Sequence, residues 1–162
     1  KPPVDTTPAA DPTPTETAAS GDGEGEDVFA ERDAFIKAQG LPLDGSPLVA
    51  VTPEQKEFIR QQSEYVKSQG ANWTAQDEST ALALTADACE TSILNKHQLD
   101  AMLLQTHVST SPLISALLGE STGDQRAMGE RNIVSVAVFG TQFMCADDAP
   151  QWQAAFNEVY GG

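Results

Sequence analysis

From Phe29 onward the apolar residues recur at intervals of three and four, the period of an α-helix, and no stretch alternates strictly as a half-buried strand would. The pattern predicts an all-α domain over residues 28–162, a compact bundle of five to six helices. A first helix is expected over residues 27–39, with Phe29, Phe35 and Ile36 inward and Gly40 as its left-handed stop. A loop rich in Pro and Gly follows. Thr52-Pro53-Glu54-Gln55 then reads as a helix start, because Thr caps, Pro suits the first turn and Gln three residues on completes a capping box. Phe58, Ile59, Tyr65 and Val66 supply the apolar face of this second helix, and Gly70 ends it.

Residues 33–40 and 63–70 share an aromatic, a β-branched residue, Lys, Gln and a terminal Gly at an interval of 30 positions, which fits either a short duplication or two independent helix ends. Thr74 with Asp77 opens a third helix, in which Leu82, Ala86, Cys89 and Ile93 fall on one face. Another is expected over residues 97–107, carrying Leu99, Met102, Leu103 and Leu104, and Pro112 begins a short apolar turn through Leu118. The widest apolar face belongs to residues 124–144, which predicts the central helix. Asp147 or Asp148 is expected to cap the last helix, whose Trp152, Phe156 and Val159 form a docking stripe.

Residues 1–27 break the pattern. They hold five Pro, five Thr, three Gly and seven acids, with Val4 as the only large aliphatic residue. Such a segment cannot bury enough apolar surface to offset its chain entropy, so a disordered, semi-extended tether is expected, reaching on the order of 80 Å at roughly 3 Å per residue. A spacer of this kind before a folded domain is what exported lipoproteins and wall-spanning proteins use. The chain opens at Lys1 without an initiator Met, which fits a mature or trimmed chain, with any membrane attachment through a missing N-terminal anchor. The acidic run Asp22 to Asp27 does not follow the calcium-loop spacing of an EF-hand and reads as a solvated end of the tether. The formal charge of -15, from 24 acidic against 9 basic residues, repels phosphates and disfavours nucleic acid as a partner.

Cys89 and Cys145 are the only cysteines, and both fall on apolar helix faces. In an exported protein this argues for a disulfide closing a long loop; in a reducing cytosol the same pair would be two buried thiols. Two Cys without further ligands at suitable spacing cannot complete a zinc shell, and a redox centre would want them close in sequence. Tyr65-Val66 with Gly70, then Leu82-Ala-Leu-Thr-Ala-Asp-Ala-Cys89, then Val136-Ala137-Val138 through Phe143-Met144-Cys145 resemble a small secreted helical domain of unknown function found in mycobacteria and other actinobacteria. The resemblance covers roughly residues 60–146. It implies export and a Cys89–Cys145 pair, and it implies no activity.

Candidate chemistry is sparse. His97 and His107 are expected at opposite ends of one helix, too far apart to share a metal, and as surface or capping residues. No nucleophile elbow singles out a Ser. Trp73, just before the Thr74 cap, is the candidate ligand-facing aromatic, with packing at the core edge as the plainer role. Asn72-Trp73-Thr74 also meets the glycosylation sequon. These features lead to the expectation of a non-enzymatic, monomeric, extracytoplasmic cell-envelope module without cofactor or metal, binding an envelope protein or polymer or acting structurally. The alternatives are a small extracytoplasmic hydrolase or transferase assembled from scattered His, Asp and Ser, and a carrier with an interhelical cavity.

Overall fold

The computed structural model describes the backbone of residues 19–161 and the side chains of residues 27–161. The expected tether lies outside the described residues for positions 1–18, and the acidic run does so for the side chains of positions 22–26. Seven helices and no strand occur among the described residues: α1 (Ala19–Ala38), α2 (Pro53–Ser68), α3 (Ala75–Leu94), α4 (Ala101–Thr110), α5 (Pro112–Leu118), α6 (Gly123–Met144) and α7 (Ala149–Tyr160). The helix α1 thus reaches back to Ala19, eight residues before the expected start. The seventh element is α5, a helix where only a turn was expected. Ser111 starts it by accepting from the Ile114 N–H at 3.2 Å, with Pro112 in the first turn.

Thr52 and Thr74 both make full capping boxes, with Gln55 and Asp77 as reciprocal partners. Gln55 does more than cap. It is 1% exposed, its Oε1 accepts from the Val51 and Thr52 N–H groups, and its Nε2 donates to the carbonyl and side chain of Gln39. One buried amide therefore ties the end of α1 to the start of α2, with all its polar capacity used.

The core has two lobes on opposite sides of α3. Leu84 and Ala88 of α3 join Leu104, Ile114, Val134, Val138, Trp152 and Phe156 in one lobe. Leu82, Ala86 and Cys89 join Phe58, Ile59 and Met144 in the other, with Phe35 packed against its edge. The expectation that α6 is central is met only in part. The helices α3 and α6 form the axis together: α6 packs on α2, α3, α5 and α7, whereas α3 carries more of the buried residues. The closest approach lies at Gly140 of α6, where an added Cβ would stand 2.0 Å from Thr85 Oγ1 and 2.7 Å from the Phe58 ring. Phe58 also stacks on Phe143 at 5.7 Å between centroids.

Some apolar residues expected inward face out. Phe29, Tyr65 and Met102 are 57%, 62% and 74% exposed. Phe29 and Tyr65 lie on the flank of their helices' true stripes, which the three-to-four spacing alone does not separate from the centre, and Met102 lies on the face of α4 opposite Leu104 and Val108. The two similar segments end alike: Leu41 and Gly40 bond back to the Ile36 and Lys37 carbonyls, and Ala71 and Gly70 to those of Val66 and Lys67. Both are Schellman ends, with φ of 64° at Gly40 and 85° at Gly70. The terminal glycines of the 30-residue likeness follow from this shared stop chemistry.

Candidate functional site

Cys89 and Cys145 form a disulfide with Cα atoms 5.9 Å apart. Cys89 is wholly buried on α3, and Cys145 is half-buried at the end of α6. The bond staples the two axial helices, and no free cysteine is present among the described residues.

Trp73 lies in the three-residue span between Gly70, the stop of α2, and Thr74, the cap of α3. The capping box holds this span: Asp77 accepts from the Thr74 N–H at 2.8 Å, and Thr74 Oγ1 accepts from the Asp77 N–H at 3.2 Å. The indole is half-buried and forms one end of a groove of about 340 Å³ between α2, α3, α5 and α6. Val66, Leu84, Ile133 and Val136 supply an apolar floor, and Gln62, Asp77, Thr80 and Asn132 are its polar members. Leu117 is 42% exposed at the rim. An apolar concavity with a few polar groups and an aromatic at its edge is the usual form of a binding site. Thr74 of the sequon has its hydroxyl committed to the cap, and Asn72 beside it is exposed.

The two histidines occupy different environments from those expected. His97 precedes α4 and does not belong to it, because Asp100 caps α4 by accepting from the Leu103 N–H at 2.8 Å. His97 ends the connection after α3. Lys96 and His97 have φ of 57° and 62°, and their N–H groups bond to the Ile93 and Ser92 carbonyls. This is a Schellman end built without glycine, at a backbone cost of about 1–2 kcal/mol per residue. The imidazole is gripped on both nitrogens. Nδ1 lies 2.9 Å from Asp148 Oδ2, and Nε2 contacts Glu31 of α1 at 2.5 Å. Gln151 Nε2 donates to the His97 carbonyl, and Gln151 Oε1 accepts from the Leu99 N–H. The hydrogen bond to Asp148 raises the His97 pKa above its ordinary 6.5, and Glu31 adds to the effect. Asp148 does occupy the N-cap position of α7, but its carboxylate makes no cap hydrogen bond and turns to His97 instead. It is 3% exposed, so a charged partner there offsets the desolvation of its carboxylate.

His107 is buried and not a surface residue, at 8% exposure on α4. Its Nδ1 lies 2.8 Å from Thr91 Oγ1, its Nε2 lies 3.8 Å from Asp87 Oδ2, and the ring meets Trp152 edge-on. Burial pushes its pKa below 6.5, with the Asp87 charge opposing. Ser111 donates to the same Asp87 carboxylate at 2.9 Å. Trp152 is a core residue whose indole N–H donates to Ser92 Oγ at 2.7 Å.

Sequence reasoning found the disulfide, and it missed the pairing of each His with carboxylates 20 to 66 positions away. One local signal was available: α3 stops at Asn95-Lys96-His97 without a glycine, so something other than local preference must hold the left-handed turn. No group of three or more His, Cys, Asp or Glu residues suited to a metal occurs among the described residues. No described helix is long and apolar enough to cross a membrane. No family model, curated protein or solved structure matches this chain, so its site is read from its own geometry.

Proposed function

We propose that this protein is a non-enzymatic, exported binding module of the cell envelope, which takes an apolar segment of a partner protein into the Trp73 groove. The observation that carries the reading is the groove itself. Its floor is aliphatic, its aromatic directly precedes a capping box, and its polar members include no paired acid and base. The disulfide supports an oxidising compartment outside the cytosol. The Thr/Pro-rich residues before the domain support a tethered placement, and the charge of -15 favours partners with basic flanks around the apolar segment.

A photo-crosslinking residue placed at Leu117 on the groove rim, in cells making the full protein, should give a discrete adduct that Trp73→Ala abolishes. A crosslinker at Met128, away from the groove, should give none. An adduct pattern indifferent to Trp73 overturns the binding assignment. Separately, protein taken from its native compartment under thiol-blocking conditions should gain the mass of two hydrogens only after reduction. Recovery of blocked, free thiols counts against export.

A second reading, a small hydrolase, is favoured by one contact. Thr91, His107 and Asp87 form a hydroxyl–imidazole–carboxylate series in which the neutral imidazole could accept a proton. It ranks lower because the ring is 8% exposed and closed over by Trp152. Ester turnover by the pure protein that His107→Gln removes would place it first.

A further inference from the structure

We propose that His97 is a proton-operated latch, which holds the first helix against the body around Glu31 when charged and frees that part of the helix when neutral. The latch is separate from the Trp73 groove, which lies on α2, α3, α5 and α6.

Charged imidazole has two N–H donors, and here two carboxylates from separate elements take them: Asp148 at the start of α7 and Glu31 on α1. Neutral imidazole keeps one N–H. The two acceptors are unequal, because Asp148 is 3% exposed, whereas the Glu31 side chain is 49% exposed. Stranding the buried carboxylate costs more than returning Glu31 to water, so the remaining proton stays on Nδ1 facing Asp148. The Nε2 lone pair then faces a carboxylate oxygen, and that contact turns from attractive to repulsive. Glu31 leaves, and α1 loses a tie.

The helix α1 is attached in a way that makes this loss felt. Its principal helix partner is α3. Among the described residues its polar ties are Glu31 to His97, Arg32 to Glu90 at 2.8 Å, and, just past its end, Gln39 to the buried Gln55 amide and the Met144 carbonyl. The last is at the C-terminal end and uses no titrating group, so it acts as the hinge. The first two hold the helix near Glu31 and Arg32, about two turns before that end. Between α1 and the body lies a cleft of about 480 Å³, walled by Phe35 and Ala38 on one side and by Ile93, Met144 and Cys145 on the other. Lifting α1 opens this cleft beside the disulfide. The charged groups around His97 are Glu31 from α1, Asp148 and Asp147 at the turn into α7, Lys96 next to it in the chain and Asp100 at the start of α4. Acids outnumber bases in this set, which keeps the proton on the ring as pH rises. The left-handed backbone at Lys96 and His97 holds the ring between its two acceptors and limits its freedom to follow Glu31 outward.

The test follows amide exchange in the whole chain across the His97 titration, with His97 protonation read by NMR and exchange corrected for its intrinsic pH dependence. Protection of the α1 amides from Val28 to Phe35 should fall by roughly two- to fivefold, the range of a half-exposed ion pair, with the same midpoint as His97. Amides of α3 and α6 should not move, which also reports that the body stays folded. In Glu31→Ala the α1 protection should be low on both sides of the titration, and the His97 midpoint should drop. Protection of α1 that shows no step where His97 titrates, or a step that persists in Glu31→Ala, overturns the latch.

Discussion

Gly140 shows how one hydrogen atom in place of a methyl group decides helix spacing. Alanine is the better helix former by about 1 kcal/mol, yet its Cβ would overlap Thr85 and Phe58. The clash wins, because both neighbours are completely buried and Thr85 is also bonded to the Ala81 carbonyl. Gly140→Ala should therefore destabilise the domain by about 1–3 kcal/mol net in urea unfolding, opposite in sign to helix propensity. Gln55→Leu keeps volume but strands the Val51 and Thr52 N–H groups and the Gln39 carbonyl, and should cost about 2–4 kcal/mol by the same measurement. The histidines bend stability with pH in opposite senses. His97 has a raised pKa, so its contribution is complete below 6.5 and disappears as pH climbs through the folded value. His107 has a lowered pKa, so its contribution is complete above 6.5 and disappears as pH falls, because the unfolded chain takes the proton first. Unfolding free energies measured across the neutral range should lose their alkaline decline in His97→Asn and the matching part of their acid decline in His107→Gln.

At the scale of elements, starts and stops were the most readable parts of the chain. A cap is a short-range contract between a side chain and backbone groups two or three residues on, so Thr52 and Thr74 were legible where they stand. Thr52→Ala should cost about 1 kcal/mol and fray the first turn of α2, visible as faster exchange at Gln55 and Lys56. The glycine stops at Gly40 and Gly70 were legible for the same reason. The end of α3 was not. Lys96 and His97 have no intrinsic preference for the left-handed region, and the turn persists because Asp148, Glu31 and Gln151 grip His97 from α7 and α1. Those contacts span 51 to 66 residues of chain, and nothing local announces them.

For the whole molecule, the disulfide is the feature that joins sequence to compartment. It closes a separation of 56 residues between the two axial helices, so in the chain-entropy account it stabilises by about 4 kcal/mol. Reduced and alkylated protein should unfold at markedly lower urea concentration than the oxidised form. Equal midpoints would mean that the reduced chain retains compensating structure. Trp73 marks the other limit at this scale. Its place before a cap was readable, but the groove it closes comes from Leu117 of α5 and Ile133 and Val136 of α6, which arrive only when those helices pack.

The sequence by itself determined the all-helical class, most helix boundaries, the two glycine stops and the inward placement of both cysteines, because each follows from periodicity or from hydrogen bonds within a few residues. Only the tertiary structure decided which flank of an apolar face is buried, that α3 shares the centre with α6, that Asp148 serves His97 instead of its own helix, and that Trp73 ends a groove. These depend on which surfaces meet. That meeting is set by shape complementarity among distant segments and by the cost of stranding a buried polar group, neither of which is local in the chain.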